Sequence, residues 1–255
     1  MPLFDEFRGL TALVTGASSG IGAETASGLA RFGASVAIHY CNNLSGAEEV
    51  ASAICNQGGE ASLIAGDLSC PEGIHSVVER IRVLEKPIDI LVNNAGSLIQ
   101  RTNVLDIAED YWNRVLTLNL SSAFFLAQAV LPRMIERGRG WIVNASSLAA
   151  LMGGGIGASA YAAAKGGLST LTKALAREFA PRGVSVNAVS PGTIDTNYHS
   201  RFSSKEALES VARATPLGRL GTACETAAVI LFLCSQEARF IHGQVVEVNG
   251  GFFMA

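Results

Sequence analysis

Short apolar runs alternate with helix-length stretches along the whole chain, and this alternation leaves few folds open. The strand-like runs are Thr11–Thr15, Ser35–Tyr40, Ala61–Ala65, Ile88–Val92, Gly140–Asn144, Val184–Ala188 and Gln244–Val248. Between them lie helical segments at Ile21–Phe32, Ser45–Asn56, Pro71–Leu84, Tyr111–Ile135, Tyr161–Ala180 and Glu225–Leu233. Gly33 closes the first helix, and Pro71 opens the third at a first-turn position. A crossover of helical length returns the chain parallel to its previous strand. Most of the runs are nearly continuous in apolar residues, as strands covered on both faces are. The expected architecture is α/β: a single doubly wound, mostly parallel, seven-stranded sheet with helices on both faces. No repeat and no Pro-, Ser- or charge-rich linker interrupts the pattern, so residues 1–255 read as one domain.

Composition excludes several classes. With 49% hydrophobic and 16% charged residues the chain is not disordered, and at this length folding buries roughly three quarters of the unfolded surface. The net charge is 19 − 22 = −3, with no basic stripe for nucleic acid or an anionic membrane. The five cysteines (Cys41, Cys55, Cys70, Cys224, Cys234) form no CxxC pair. They indicate neither a disulfide framework nor a metal site, but reduced thiols in a cytoplasmic protein. The N-terminus lacks the basic start and apolar run of a signal peptide. Uncharged stretches at 115–132 and 140–164 are broken by Asn119, Ser121, Ser122 and Gln128, and by Asn144, Ser146, Ser147 and a glycine run. The first reads as a helix buried in a core or an oligomer interface, the second as a strand entering a glycine-rich loop, neither as a membrane span.

The first strand runs into Thr15-Gly16-Ala17-Ser18-Ser19-Gly20-Ile21-Gly22, and a helix follows at once. Glycines at such a turn let the backbone approach a pyrophosphate and let helix pack on strand. The helix N-terminus presents free N–H groups to the phosphates. The GxxxGxG spacing differs from GxGxxG, and no Lys-Ser or Lys-Thr follows, which disfavours an ATP-type loop. A second signal is Tyr161-Ala-Ala-Ala-Lys165. Residues four apart share a helix face. An ammonium beside a phenol favours the phenolate, lowering a pKa that starts near 10. Such a tyrosine can give or take a proton at a carbonyl oxygen. Ser146-Ser147, at the end of the fifth strand, places a hydroxyl where it could bond the same oxygen.

Taken together, Thr15 to Gly22, Asn93-Asn94-Ala95-Gly96, Asn119, Ser147, Tyr161-xxx-Lys165, Pro191-Gly192 and the terminal Gly243 to Gly251 resemble the short-chain dehydrogenase/reductase family, single-domain branch, along the whole chain. The resemblance implies a Rossmann-type NAD(P)-dependent oxidoreductase that moves a hydride between the nicotinamide and an alcohol or ketone. It implies Tyr161 as general acid or base and Ser147 as the residue holding the substrate oxygen. Lys165 would bind the nicotinamide ribose and lower the Tyr161 pKa. Asn119 would kink the long helix and anchor a water that relays protons to Lys165. Gly16, Ser18, Ser19, Gly20, Ile21 and Gly22 would bind the phosphates. Asp67 with Leu68 would flank the adenine, and Asn94, Ala95 and Gly96 the adenosine ribose. Pro191, Gly192, Ile194 and Thr196 would hold the nicotinamide. Ser147 and Tyr161 stand one residue further apart than in close relatives. The loop Gly153-Gly154-Gly155-Ile156-Gly157 can absorb the extra residue, and Ser147 is preferred to Ser146.

The second strand ends at Tyr40, followed by Cys41, Asn42 and Asn43. An acid there would bond the ribose 2′-hydroxyl and repel a 2′-phosphate. None is present, nor is an Arg or Lys. Ser18, Asn42 and Asn43 could bond a 2′-phosphate, so NADP(H) is favoured over NAD(H), with Tyr40 and Asn42 beside that ribose. The resemblance implies a substrate lid at about 197–216, with His199 a candidate polar contact. Leu148, Met152, Ile156, Ser97 and Leu98 read as pocket walls. Val115, Leu118, Phe124 and Phe125 are candidates for inter-subunit burial in the homotetramer the resemblance implies. Two other readings compete: a non-redox enzyme on the same scaffold, and a nucleotide-binding sensor. The first usually carries a separate substrate domain, for which this chain is too short. The second has no need of Asn119, Ser147, Tyr161 and Lys165 together.

Overall fold

The computed structural model describes residues 7–196 and 202–254. The chain alternates β1 (Thr11–Val14), α1 (Gly20–Arg31), β2 (Ser35–Tyr40), α2 (Leu44–Asn56), β3 (Glu60–Ala65), α3 (Pro71–Arg82) and β4 (Ile90–Asn93). It continues with α4 (Glu109–Leu116), a π turn (Thr117–Ser121), α5 (Ser122–Arg137), β5 (Gly140–Ala145), a short α6 (Ala149–Met152) and α7 (Ser159–Phe179). Then follow β6 (Val184–Pro191), β7 (Ile194–Asp195), α8 (Lys205–Ala214), β8 (Gly221–Thr222), α9 (Ala223–Leu233) and β9 (Val245–Val248). Seven strands form one sheet in the order β3-β2-β1-β4-β5-β6-β9, and every pairing is parallel. The expected sheet is therefore present. A separate two-stranded pair, β7 with β8, was not anticipated.

Period-two alternation sorts the strand side chains between two buried layers. From β1, Ala12 and Val14 join Leu29 of α1, Ile54 of α2 and Ile230 of α9. Leu13 points the other way, to Val77 of α3, Leu126 and Met134 of α5 and Leu175 of α7. Gly28 permits the close crossing of α1 and α9, since a Cβ there would lie 2.6 Å from Leu231 Cδ1.

Two local expectations are revised. The fourth strand begins at Ile90 rather than Ile88. Asp89, just before it, accepts the Thr11 N–H on its carboxylate at 3.0 Å and faces Arg137 at 3.1 Å. The long helix expected over 111–135 runs from Glu109 to Arg137 and is broken by the π turn around Asn119. It is long and apolar enough to cross a membrane, yet Leu126, Ala127, Val130, Leu131 and Met134 lie buried against the sheet. Val115, expected at an interface, is fully buried within the fold. Phe124 and Phe125 are partly exposed and stack edge to face.

Candidate active site

Strand order reverses at β1, which pairs with β2 on one side and β4 on the other. In doubly wound sheets, ligands bind in the crevice outside the carboxyl ends of the strands at such a point. The glycine loop between β1 and α1 lies there. Gly16 and Gly20 have φ of +63° and +57°, values that L side chains rarely adopt. A Cβ on Gly22 would lie 2.4 Å from Gly16 O. Ser19, at the α1 N-cap, makes no side-chain cap bond, so the first N–H groups of α1 are not claimed by it. The Thr15 hydroxyl accepts the N–H groups of Asn94 and Ala95, both at 2.9 Å. The Asn94 amide donates to Thr15 O and Gly16 O. This knits the ends of β1 and β4.

Sequence reasoning missed His39. Its Nδ1 accepts the Gly16 N–H at 3.2 Å while Nε2 faces Gly66 O at 3.1 Å. Both contacts are satisfied in one neutral tautomer, Nε2–H. Burial pushes the imidazole pKa down to about 4, against weaker opposing effects of the Gly66 bond and Asp67. The ring thus ties the glycine loop to the ends of β2 and β3. Only its place at the end of an apolar strand hinted at burial.

A cleft of about 760 Å³ opens beside the loop. It brings together Gly16, Ser19, Gly20, Ile21, Asn94, Ala95, Gly96, Ser147, Tyr161, Lys165, Pro191, Gly192, Ile194 and Thr196, all expected from the sequence. Lys165 is buried, and its Nζ donates to Ala145 O at 2.6 Å. Desolvation pushes its pKa down to about 8. The same Nζ lies 5.6 Å from the centroid of the Tyr161 ring. A cation at this range reaches the phenol electrostatically. Asn119 is buried behind this pair. Its Oδ1 accepts the Ser97 N–H, and its Nδ2 donates to Ser97 O and Val115 O. A Cβ on Gly96 would stand 2.7 Å from Asn119 Oδ1 and 2.9 Å from Lys165 Nζ. Glycine there allows the amide, the ammonium and the loop to meet.

The two serines separate by what they touch. Ser146 is buried, and its hydroxyl contacts Lys165 O at 3.1 Å and Ser169 Oγ at 2.7 Å. Among the described residues the Ser147 hydroxyl accepts only a local N–H, from Ala149 at 3.1 Å. Ser146 thus braces α7, and Ser147 is the hydroxyl available to a bound molecule.

Of the expected catalytic and cofactor residues, Ser18, Gly22, Tyr40, Asn42, Asp67, Leu68 and Asn119 do not line the cleft. Gly22 lies beneath the loop, and Leu68 is buried in the core. Asp67 accepts the Ser69 N–H at the end of β3. Tyr40 ends β2, with Asn42 exposed beyond it. Ser18 lends its carbonyl to Asn43, and Asn43 is committed to capping α2 through Gly46 N–H. That leaves Asn43 one side-chain N–H to offer a 2′-phosphate. Leu148, Met152, Ser97 and Leu98 line the cleft as walls, whereas Ile156 is exposed outside it. Of the expected lid, 197–201, with His199, lies outside the described residues. Phe202, Ser203, Ala207, Leu208 and Val211 border the cleft.

Comparison with known proteins agrees with this geometry. A family model described as enoyl-(acyl carrier protein) reductase matches residues 16–253. The chain is 42% identical over 249 residues to the 3-oxoacyl-acyl-carrier-protein reductase of Escherichia coli (strain K12), covering 97% of this chain and 99% of that protein. It is 41% identical over 255 residues to the reductase of the same description from Aquifex aeolicus, covering 97% and 99%. A 3-oxoacyl-acyl-carrier-protein reductase from Brucella melitensis superposes with a TM-score of 0.92 at 36% identity, covering 99% and 94%. A Beutenbergia cavernae protein, provisionally assigned as an NAD(P)-dependent gluconate 5-dehydrogenase and solved with NADP at low occupancy, gives 0.90 at 37%, covering 98% of each chain. The chain belongs to the short-chain dehydrogenase/reductase family and is an NAD(P)-dependent oxidoreductase acting between alcohol and carbonyl groups.

Proposed function

We propose that the enzyme interconverts a ketone and a secondary alcohol with NADP(H), using Tyr161 as its proton donor and acceptor. The observation that carries this is the convergence of Ser147, Tyr161 and Lys165 on one cleft with the glycine loop. The cofactor fits the residues present. Glycines at 16, 20 and 22 keep side chains out of the loop, and the N-terminus of α1 suits a pyrophosphate. Asn94, Ala95 and Gly96 would flank the adenosine ribose, Asp67 the adenine with only the backbone of Leu68, whose side chain is packed in the core, and Pro191, Gly192, Ile194 and Thr196 the nicotinamide. When bound, the reduced nicotinamide supplies the hydride.

The chain's own groups handle position and protons. Ser147 donates a hydrogen bond to the substrate carbonyl oxygen. The Tyr161 phenol protonates that oxygen as charge develops on it. The Lys165 ammonium stabilises the phenolate that remains. Asn119 holds the Ser97 loop behind Lys165 and would anchor a relay water. The NADP preference rests on the absence of an acid after β2 and on the NADP held by the Beutenbergia neighbour. The substrates of the relatives named above, 3-oxoacyl thioesters and aldonates, bound the first panel to try. The same reading takes the chain as one catalytic domain with residues 197–216 as lid, a cytoplasmic enzyme with free thiols, and a homotetramer. Its test is oxidation of NADPH and of NADH, followed by absorbance, across a panel of ketones. Turnover with a higher kcat/KM for NADPH supports the reading. A clear preference for NADH overturns the cofactor assignment, and no turnover with any carbonyl overturns the function.

A further inference from the structure

Arg101 reaches into the substrate end of the cleft from a loop held in a strained conformation. Ile99, two residues before it, has φ +64°, a region in which a β-branched residue is a strained outlier. The strain is held by specific contacts. The Ser97 hydroxyl accepts the Ile99 N–H at 2.9 Å, and the Tyr111 hydroxyl lies 3.0 Å from Leu98 O and 2.7 Å from Gln100 O. Strain of this kind, sustained by its surroundings, marks functional loops. Beyond it, Arg101 donates from Nε to Phe202 O at 2.9 Å and from Nη1 to Ile156 O at 2.8 Å. Its Nη2 has no protein partner among the described residues.

Charge in the cleft points the same way. Among the described lining residues the cations are Arg101 and Lys165, and there is no Asp or Glu. Lys165 lies beside Tyr161 and Ala145, where the proposed function gives it to the phenol and the cofactor ribose. Among the described residues Arg101 bonds Phe202 O and Ile156 O and lies beside Gly155 and Gly157, none of them a residue expected to hold the dinucleotide. A cation with donors to spare, in a cleft without acids, leaves an anion as the matching ligand.

Resting on the ketone–alcohol reading above, we infer that the substrate carries an anionic group, a carboxylate or phosphate remote from the reacting carbon, and that Arg101 binds it. In this role Arg101 also ties the anion to Phe202 O at the cleft and to Ile156 O of the neighbouring loop. It is a specificity residue that takes no part in proton transfer.

The test uses charge-matched pairs with the wild-type enzyme, Arg101→Gln and Arg101→Lys. The first pair is acetoacetate and its ethyl ester, the second dihydroxyacetone phosphate and dihydroxyacetone. Arg101→Gln should lower kcat/KM for an anionic member at least about tenfold more than for its neutral partner, mainly through KM. Arg101→Lys should recover part of the loss. The pair showing this ratio identifies the anion as carboxylate or phosphate. Equal losses on both members of both pairs would make Arg101 a strut of the cleft and overturn the inference. Calorimetric titration of D-gluconate and of uncharged D-glucitol into the NADP-loaded enzyme gives a readout that needs no turnover. Preference for gluconate, lost in Arg101→Gln, supports the inference. If no carbonyl is reduced while that preference holds, the function reading alone fails. Equal binding of both polyols, with no charge discrimination in the kinetic pairs, overturns the anion site.

Discussion

His39 makes the stability of this fold depend on pH in a calculable way. The buried ring is held neutral, with a pKa of about 4 against 6.5 for an ordinary histidine. Between those values the unfolded chain binds a proton that the folded chain refuses, so stability rises with pH across this window and is lost on acidification. From near pH 7.5 to near pH 5 the two pKa values give a loss of about 2 kcal/mol from this residue alone. Protonation would also place an Nδ1–H against the Gly16 N–H, two donors face to face. The perturbation is His39→Gln, which cannot titrate, and the assay is urea unfolding followed by circular dichroism at both pH values. Carboxylates and the other histidines titrate in both proteins and cancel in the comparison. The wild-type midpoint should fall by about 0.7–1 M urea more than the variant's, for a slope of roughly 2–3 kcal/mol per M. Parallel shifts in the two proteins would refute the claim that His39 is held neutral by burial between Gly16 and Gly66.

Further expectations follow from the cleft. Tyr161→Phe should lower kcat by about 10²–10⁴-fold while the NADPH dissociation constant, read by fluorescence, changes little; substantial remaining turnover would remove Tyr161 from proton transfer. Ser147→Ala should lower kcat by about 10²-fold with little change in melting temperature, whereas Ser146→Ala should cost about 0.5–1.5 kcal/mol of stability by losing the bonds to Ser169 and Lys165 O, which still bond each other. The opposite pattern would reverse the two assignments. Gly96→Ala pushes a methyl against Asn119 Oδ1 and a buried Lys165 Nζ. Overpacking of this kind costs about 1–3 kcal/mol, a fall of roughly 3–10 °C in melting temperature together with reduced kcat; unchanged melting and activity would show that the loop yields.

What was legible in the sequence was local or periodic. Alternating runs require parallel strands because each crossover has helical length. The glycines of residues 16–22 declare a turn that admits no side chains. Tyr161 and Lys165 fall on one face because four residues make about one helical turn, and the structure keeps both at the cleft. Element ends were less visible. Asp89 shifts the start of β4 through a bond to Thr11, 78 positions away, and the π turn at Asn119 depends on an amide clasping Ser97. The choice between Ser146 and Ser147 rests on Ser169 of another helix. His39 gains its role only when β2, the glycine loop and Gly66 meet, and Arg101 enters the cleft only because a strained loop aims it there. Periodicity along the chain reports which face a residue takes within one element. The partner across an interface is set by how crossovers pack distant segments, and that is decided only in three dimensions.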